Sequence, residues 1–521
     1  MFISDYLVFR KNEESGPMKD AKGYALEAGH LRQWLKTLAA IPRAGLTPDQ
    51  EVDYLLLGSE IKTRIAEIER ERRWEKDPGL YLDLARIESL VLNETSAPAR
   101  SDGPLQKSLQ EIPRVIGIAK ANLKNPPLLF LNQAGETLAA MLVFFKKELR
   151  EFIDREPAQR QALTGPYEKA KAALEEYERF LRQDLRPRAK STVGIGRELY
   201  NYYLKEKYLL DDDVDSLLKK GEAYFAETLL LLEETAHRID PGKTWQELIA
   251  ENRKIHPDID SLLPAWEKEI QRARRHVLEK NLAIIPAGEM VRVIPMPPSG
   301  RKQSPFGIMD TPSPFSQSKI GSLIINPVEP GLPEAMKEEL LSGHEYTFIA
   351  TIAPHETYPG HHLHALKIQQ NPRPLRKAIE SSLFSEGWGL YAEELMYETG
   401  FFKDAERTRL TQLRSRLWRA ARVILDVKLQ TDRITYEQAR KFLEDRVLFE
   451  PSRSAGEVNM YMQTPTYFIT YILGYYDIMK LRRDYKKKLG TEFSLLNFHE
   501  AMLKTGSLPT SLLRRLVLGT R

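Results

Sequence analysis

The sequence predicts a mainly α protein, a large helical fold in two lobes with a small β-containing insert next to its most distinctive motif. Three observations predict it. Apolar residues recur three and four positions apart through residues 1–283, as in "YLDLARIESLVL" (81–92) and "YEKAKAALEEYERFLRQDL" (167–185), the period of helices with one buried face. Residues 284–332 are instead rich in Pro, Gly and Ser and hold two β-like stretches, Val291 to Ile294 and Leu323 to Asn326. From Pro333 the helical period returns and continues close to the C-terminus. The chain thus divides into a helical scaffold lobe (1–283), the insert (284–332) and a second helical lobe (333–521).

Within the scaffold, "KNPP" (124–127), "TGP" (164–166) and "HPD" (256–258) mark connections between helices, and no internal repeat is visible. A chain of 521 residues with 42% hydrophobic content can bury a large core. Its 77 Lys and Arg are interspersed with 73 Asp and Glu, so no charged tail points to nucleic acid or to a membrane surface. The longest strongly apolar run, Leu138 to Phe145, falls far short of the roughly 20 residues of a membrane-spanning helix. No membrane span is expected. The opening "MFISDYLVFRKNEES" has no signal-peptide pattern, which points to the cytoplasm, or to the periplasm or exterior if a leader has been removed. This sequence has no cysteine, which excludes disulfides, thiol catalysis, cysteine-ligated zinc and a lipidated cysteine within it. Any metal must be held by His, Asp or Glu.

Five of the ten histidines (His344, His355, His361, His362 and His364) cluster around "HETYPGHH", residues 355–362. The stretch opens like the zinc-peptidase pattern H-E-x-x-H, but Pro359 stands where the second histidine belongs. A hydrolytic zinc takes three protein ligands and keeps a fourth position for water, whose pKa falls to about 7. Neutral imidazoles suit that ion, and a glutamate beside the first histidine can take the water's proton.

The spacing needs a device. His355 and His361 are six residues apart, so an undistorted helix sets them about 120° apart around its axis. His362 has the better angle but lies roughly 10.5 Å along the axis, a long reach for two rings on one ion. Pro359 interrupts the backbone bonding and Gly360 accepts unusual dihedrals, so two extra residues are expected to bulge out and return His361 to the metal. His362 stays as the alternative second ligand.

"FSEGWGLYAEEL" (384–395) offers the third ligand in Glu386, after a turn at "NPRP" (371–374) that allows an antiparallel return. Gly387 and Gly389 are expected to let that helix approach the first. Glu393, two turns on, is placed to orient a ligand histidine through its free N–H.

The paired motifs, H-E-x-x-P-G-H-H then E-G-W-x-L-Y-x-E, resemble those of the bacterial family called domain of unknown function 885 (DUF885), similar to zinc metallopeptidases of the glutamate-ligand (gluzincin) type. "IPMPP" (294–298), "GRELY" (196–200) and "YMQTPTYFITYILG" (461–474) agree with it, so the resemblance covers most of the chain. It implies a zincin-like helical fold, one zinc ion per chain on His355, His361 and Glu386, Glu356 as catalytic base, and Tyr461 and Tyr471 near the site. The chain departs from the family pattern at His364 and Tyr467, where glutamine is usual, and at Met460, where arginine is common.

The implied reaction is zinc-assisted hydrolysis of a peptide bond. Glu356 takes the water's proton and passes it to the leaving amine, while a tyrosine hydroxyl, Tyr461 first, stabilises the oxyanion. "GSLIIN" (321–326) is a candidate edge strand for pairing with a peptide backbone, and Arg453 a candidate anchor for a terminal carboxylate. A deep channel between two lobes suggests short peptides as substrates and exopeptidase action, of carboxypeptidase or dipeptidase type. The alternatives are a zinc hydrolase of other amides or esters, and a helical metal-binding protein without turnover. Glu356 argues against the last, since a binding-only site has no need of a carboxylate beside its open position.

Overall fold

The three-and-four spacing resolves into helices along both halves of the chain, and among the described residues the sheet lies in the insert. A computed structural model describes residues 2–94, 103–155, 157–297 and 307–519. The fold is mainly α, as the sequence predicts.

The chain forms two compact units. One comprises Met1–Leu7, Leu38–Glu60 and Gly196–Arg521; the other comprises Val8–Thr37 and Ile61–Ile195. Residues 196–283 therefore belong to the unit that holds the histidine motif, together with Leu38–Glu60, and not to the unit of Val8–Thr37 and Ile61–Ile195. Packing gives the reason: helix Val214–Ile239 lies along Ala405–Gln430, and Leu262–Glu279 packs on Tyr346–Glu356.

In the second unit, Pro104–Asn122 packs against Pro157–Phe180 through Leu109, Ile112 and Ile116 on one side and Leu163, Ala170 and Leu174 on the other. The connection expected at "TGP" is absent, and Pro157–Phe180 runs straight through it. Pro166 has no N–H to give the Ala162 carbonyl. The Gln106 side chain, on the neighbouring helix, donates to that carbonyl instead at 3.1 Å. The stretch Leu128–Arg155 is longer than its apolar run suggests, and by length and composition it could cross a membrane. Its Leu131, Leu138, Met141, Phe145 and Phe152 are buried in this unit's core.

The insert forms three strands, β1 (Met290–Pro295), β2 (Gly307–Asp310) and β3 (Ile320–Ile325), in the order β1-β3-β2. Residues 298–306 lie outside the described set. β3 pairs parallel with β1 and antiparallel with β2. "GSLIIN" is therefore the middle of the sheet, hydrogen-bonded on both sides, and the free edge expected there does not exist. The strand that covers it, "GIMD", is four residues long and shows no alternation to announce it.

The long helix Ala405–Gln430 is buried on nearly every side, its arginines Arg409, Arg414, Arg416, Arg419 and Arg422 included. Buried guanidinium groups need partners. Glu394, Glu227, Glu393 and Glu457 supply them, with the carbonyls of Val447 and Leu448 for Arg414.

Candidate metal centre

Helix Tyr346–Glu356 buries Phe348, Ile349, Ile352 and Ala353, which fixes its rotation, and His355 falls in its last turn. The sequence expects a bulge within one helix after this point. The helix instead ends at Glu356, the chain bends over residues 357–360, and a new helix begins at His361. Pro359 cannot continue the ladder, and the polar groups freed there are satisfied locally. Thr357 N donates to Ala353 O at 2.9 Å, Gly360 N to Pro354 O at 3.0 Å, and Trp388 Nε1 to Pro359 O at 2.8 Å. Only glycine fits at 360, where a Cβ would stand 1.7 Å from the His355 carbonyl oxygen.

The break brings the two rings together, with His355 Nε2 and His361 Nε2 3.2 Å apart. Glu386, on helix Ser382–Glu398, sets Oε2 3.4 Å from His361 Nε2 and 3.9 Å from His355 Nε2. Among the described residues, these three side chains form a group that could hold a metal ion. The donor set fits zinc: with ligand bonds of about 2.0–2.1 Å, donors around a tetrahedral ion lie about 3.3 Å apart. Behind His355, Nδ1 lies 2.9 Å from Glu393 Oε1, and Glu393 is fully buried. Donation of Nδ1–H to that carboxylate leaves Nε2 free as a metal ligand.

Gly389 makes this packing possible, since a Cβ there would stand 2.6 Å from the His355 ring. Gly387 serves a different contact from the one expected. Its missing Cβ makes room for the Gly474 backbone of Thr470–Leu489, at 2.5 Å, rather than for the histidine helix.

Without an ion, Glu386 and His361 form a largely buried ion pair. Burial alone would raise the Glu386 pKa, but the charges and hydrogen bond of the histidines outweigh it and hold it down at about 2. Burial would likewise lower His361, yet the charge of Glu386, with Glu356 and Glu380 adding to it, pushes it up to about 9.

A family model described as "Bacterial protein of unknown function (DUF885)" matches residues 10–517. The chain belongs to that family. The DUF885 chain also shares its fold with two solved structures. One is a "putative lipoprotein of unknown function" from Shewanella oneidensis, 20% identical, with a TM-score of 0.80 over 99% of this chain and 98% of that one. The other is the "putative lipoprotein" from Colwellia psychrerythraea, 19% identical, with a TM-score of 0.80 over 96% and 91%. No curated protein matches the chain.

The remaining expected residues of this DUF885 chain take different places. His362 turns away from the cluster, its Nε2 3.2 Å from Glu289 Oε2. The same carboxylate accepts the Tyr358 hydroxyl, and Arg274 Nε donates to it at 2.8 Å, so His362 belongs to an ionic lock beside β1. Glu356, half-buried, closes the His355 helix. Tyr471 lies beside His355, ring centroids 6.5 Å apart and 14° from parallel. Tyr461 is fully buried and its hydroxyl is committed: it donates to Glu457 Oε2 at 2.6 Å and accepts from Trp418 Nε1 at 3.2 Å. Arg453 packs its guanidinium on Phe449 at 3.9 Å, and burial beside Arg414 lowers its pKa to about 9.

Two partners of the motif's residues lie outside the sequence reading, one at the cluster and one beside it. Tyr467, noticed in the sequence only as a departure from the family pattern, donates its hydroxyl to Glu386 Oε1. Glu289, which holds His362, stands 73 positions before its partner, and no local pattern joins the two.

Proposed function

We propose that this DUF885 protein is a zinc-dependent peptidase of the glutamate-ligand type, holding one ion per chain on His355, His361 and Glu386. The observation that carries the reading is the set of donor separations, 3.2, 3.4 and 3.9 Å, which suits a tetrahedral zinc with one position left for water. Zinc bound there supplies Lewis acidity, polarising the scissile carbonyl and making water acidic enough to be deprotonated near neutral pH.

The chain's own residues do the rest. Glu356, next to His355 and half-exposed, takes the proton of the attacking water and hands it to the leaving amine. Tyr471 replaces Tyr461 as the hydroxyl that donates to the developing oxyanion, because it lies against His355 while Tyr461 is spent on Glu457. Glu393 holds the His355 tautomer.

Short peptides are the substrate class, with exopeptidase action of carboxypeptidase or dipeptidase type. Arg453 does not support capture of a terminal carboxylate, since it is packed on Phe449, and Arg422, 4.6 Å from the centre of the Tyr471 ring, is buried and paired with Glu457. The lipoprotein descriptions of the structural relatives favour the periplasmic or secreted location over the cytoplasmic one.

The test is digestion of a mixed peptide library by the purified protein, read by mass spectrometry. Single residues or dipeptides should be released, chelator should abolish the activity, and zinc should restore it. Turnover unaffected by chelation sinks the metal reading, and efficient internal cuts in folded proteins sink the short-peptide one.

A further inference from the structure

The two oxygens of Glu386 have different duties. Oε2 faces His361 and His355 at 3.4 and 3.9 Å, whereas Oε1 accepts the Tyr467 hydroxyl. A carboxylate left alone can offer both oxygens to one cation. Here one of them is already taken by the Tyr467 hydroxyl.

Tyr467 is well anchored for that task. Its backbone closes a turn between the helices Pro451–Gln463 and Thr470–Leu489, with Tyr467 N donating to Thr464 O at 3.2 Å and Thr470 N to Tyr467 O at 3.1 Å. Its ring stands edge-on to Phe468 and to Tyr471, at 5.1 and 6.0 Å between centroids. Backbone and ring are thus fixed by contacts that do not involve the hydroxyl, whose direction toward Glu386 follows from them.

We propose that Tyr467 is a positioning residue that restricts Glu386 to ligation through Oε2 alone, keeping the coordination number low and a place free for water. The inference rests on the metal reading above. A second bond from Oε1 would occupy the space that a hydrolytic site reserves for water and carbonyl oxygen.

Cobalt(II) reports this directly, because its visible bands are intense in a four-coordinate site and several-fold weaker when a fifth ligand joins. The apo protein, the Tyr467→Phe variant and the Tyr471→Phe variant are each loaded with one equivalent of cobalt, and thermal melting checks that each is folded. The wild-type chain should give intense four-coordinate bands, and so should Tyr471→Phe, which leaves the Tyr467 hydroxyl on Glu386. Tyr467→Phe should bind cobalt with bands several-fold weaker, as Oε1 turns to the ion. Equal band intensities in wild type and Tyr467→Phe overturn the inference while leaving the metal site standing. A wild-type chain that takes up neither cobalt nor zinc removes the site and the inference together.

Discussion

Replacing Gly389 by alanine tests the metal centre without touching a ligand. A Cβ at 389 would stand 2.6 Å from His355 Cε1 and 2.7 Å from its Nε2, the atom aimed at His361 and Glu386. Ordinary contact begins near 3.4 Å, so the ring must retreat by about 0.8 Å, the difference from 2.6 Å. It cannot swing aside freely, because its other nitrogen is held by buried Glu393 at 2.9 Å. Metal–ligand distances tolerate only about 0.2 Å. Loss of a residue that merely orients a ligand costs about 10- to 100-fold in affinity, and displacing the ligand itself should reach at least the upper end of that range. The fold should change less, since overpacking costs about 1–3 kcal/mol while exchanging glycine for alanine in a helix returns about 1 kcal/mol. Zinc affinity is measured by competition with a chromogenic chelator, alongside thermal melting of the apo protein. Gly387→Ala is the contrast: its Cβ meets the Gly474 backbone at 2.5 Å, so it should lower stability more than metal affinity. Wild-type zinc affinity in a folded Gly389→Ala protein would falsify the claim that His355 is a ligand in the position described.

His361→Ala should lose the ion in metal analysis whereas His362→Ala keeps it, because His362 is bound to Glu289; the opposite result reverses the ligand assignment. Glu356→Gln should retain zinc and fold but lose about 10²- to 10⁴-fold in peptide turnover, and a metal-loaded variant with wild-type rates means another group is the base. In acid the protein should weaken before its carboxylates titrate. Burial holds His344 and His499 neutral, lowering each pKa to about 4 from the ordinary value near 6.5. Their stability contribution is therefore complete above pH 6.5 and lost as pH falls toward 4, by about 3 kcal/mol each. Urea titrations at pH 7 and pH 5 measure the loss, and equal midpoints at the two pH values contradict it. Gln106→Ala should destabilise the unit holding the Pro157–Phe180 helix by about 1–3 kcal/mol, because the Ala162 carbonyl loses its donor. Unchanged melting of that variant means water serves the carbonyl equally well.

What was legible in the sequence was mostly what is local. His355 and His361 stand out because they sit in one short histidine-rich motif, Glu386 because it opens the E-G-W-x-L-Y-x-E motif 25 residues on, and Gly389 because it lies one turn from Glu386. β1 and β3 were legible as apolar runs between Pro and Gly. The order of the sheet was not, since β2 is a short segment whose identity depends on pairing with Leu323 and Ile324. The same limit hid the passage of a helix through Pro166, where the Ala162 carbonyl is served by a glutamine 56 positions before Ala162. It also hid the partner of His362, a glutamate 73 positions earlier. Tyrosines illustrate the limit most clearly. Tyr461 and Tyr471 look alike in a sequence, and only a hydroxyl already donated to Glu457 separates one from the other.

The interruption at residues 357–360 places the three donors on three separate helices rather than two. An ion seated among them would be a cross-link, tying the ends of Tyr346–Glu356 and His361–Gln369 to the N-terminal part of Ser382–Glu398. Cross-links that exist only in the folded state shift the unfolding equilibrium by mass action, by about 4 kcal/mol at a thousand times the dissociation constant. Under the proposed zinc site, metal supply and resistance to proteolysis would be linked quantities, and chain made without the ion would be the shorter-lived form.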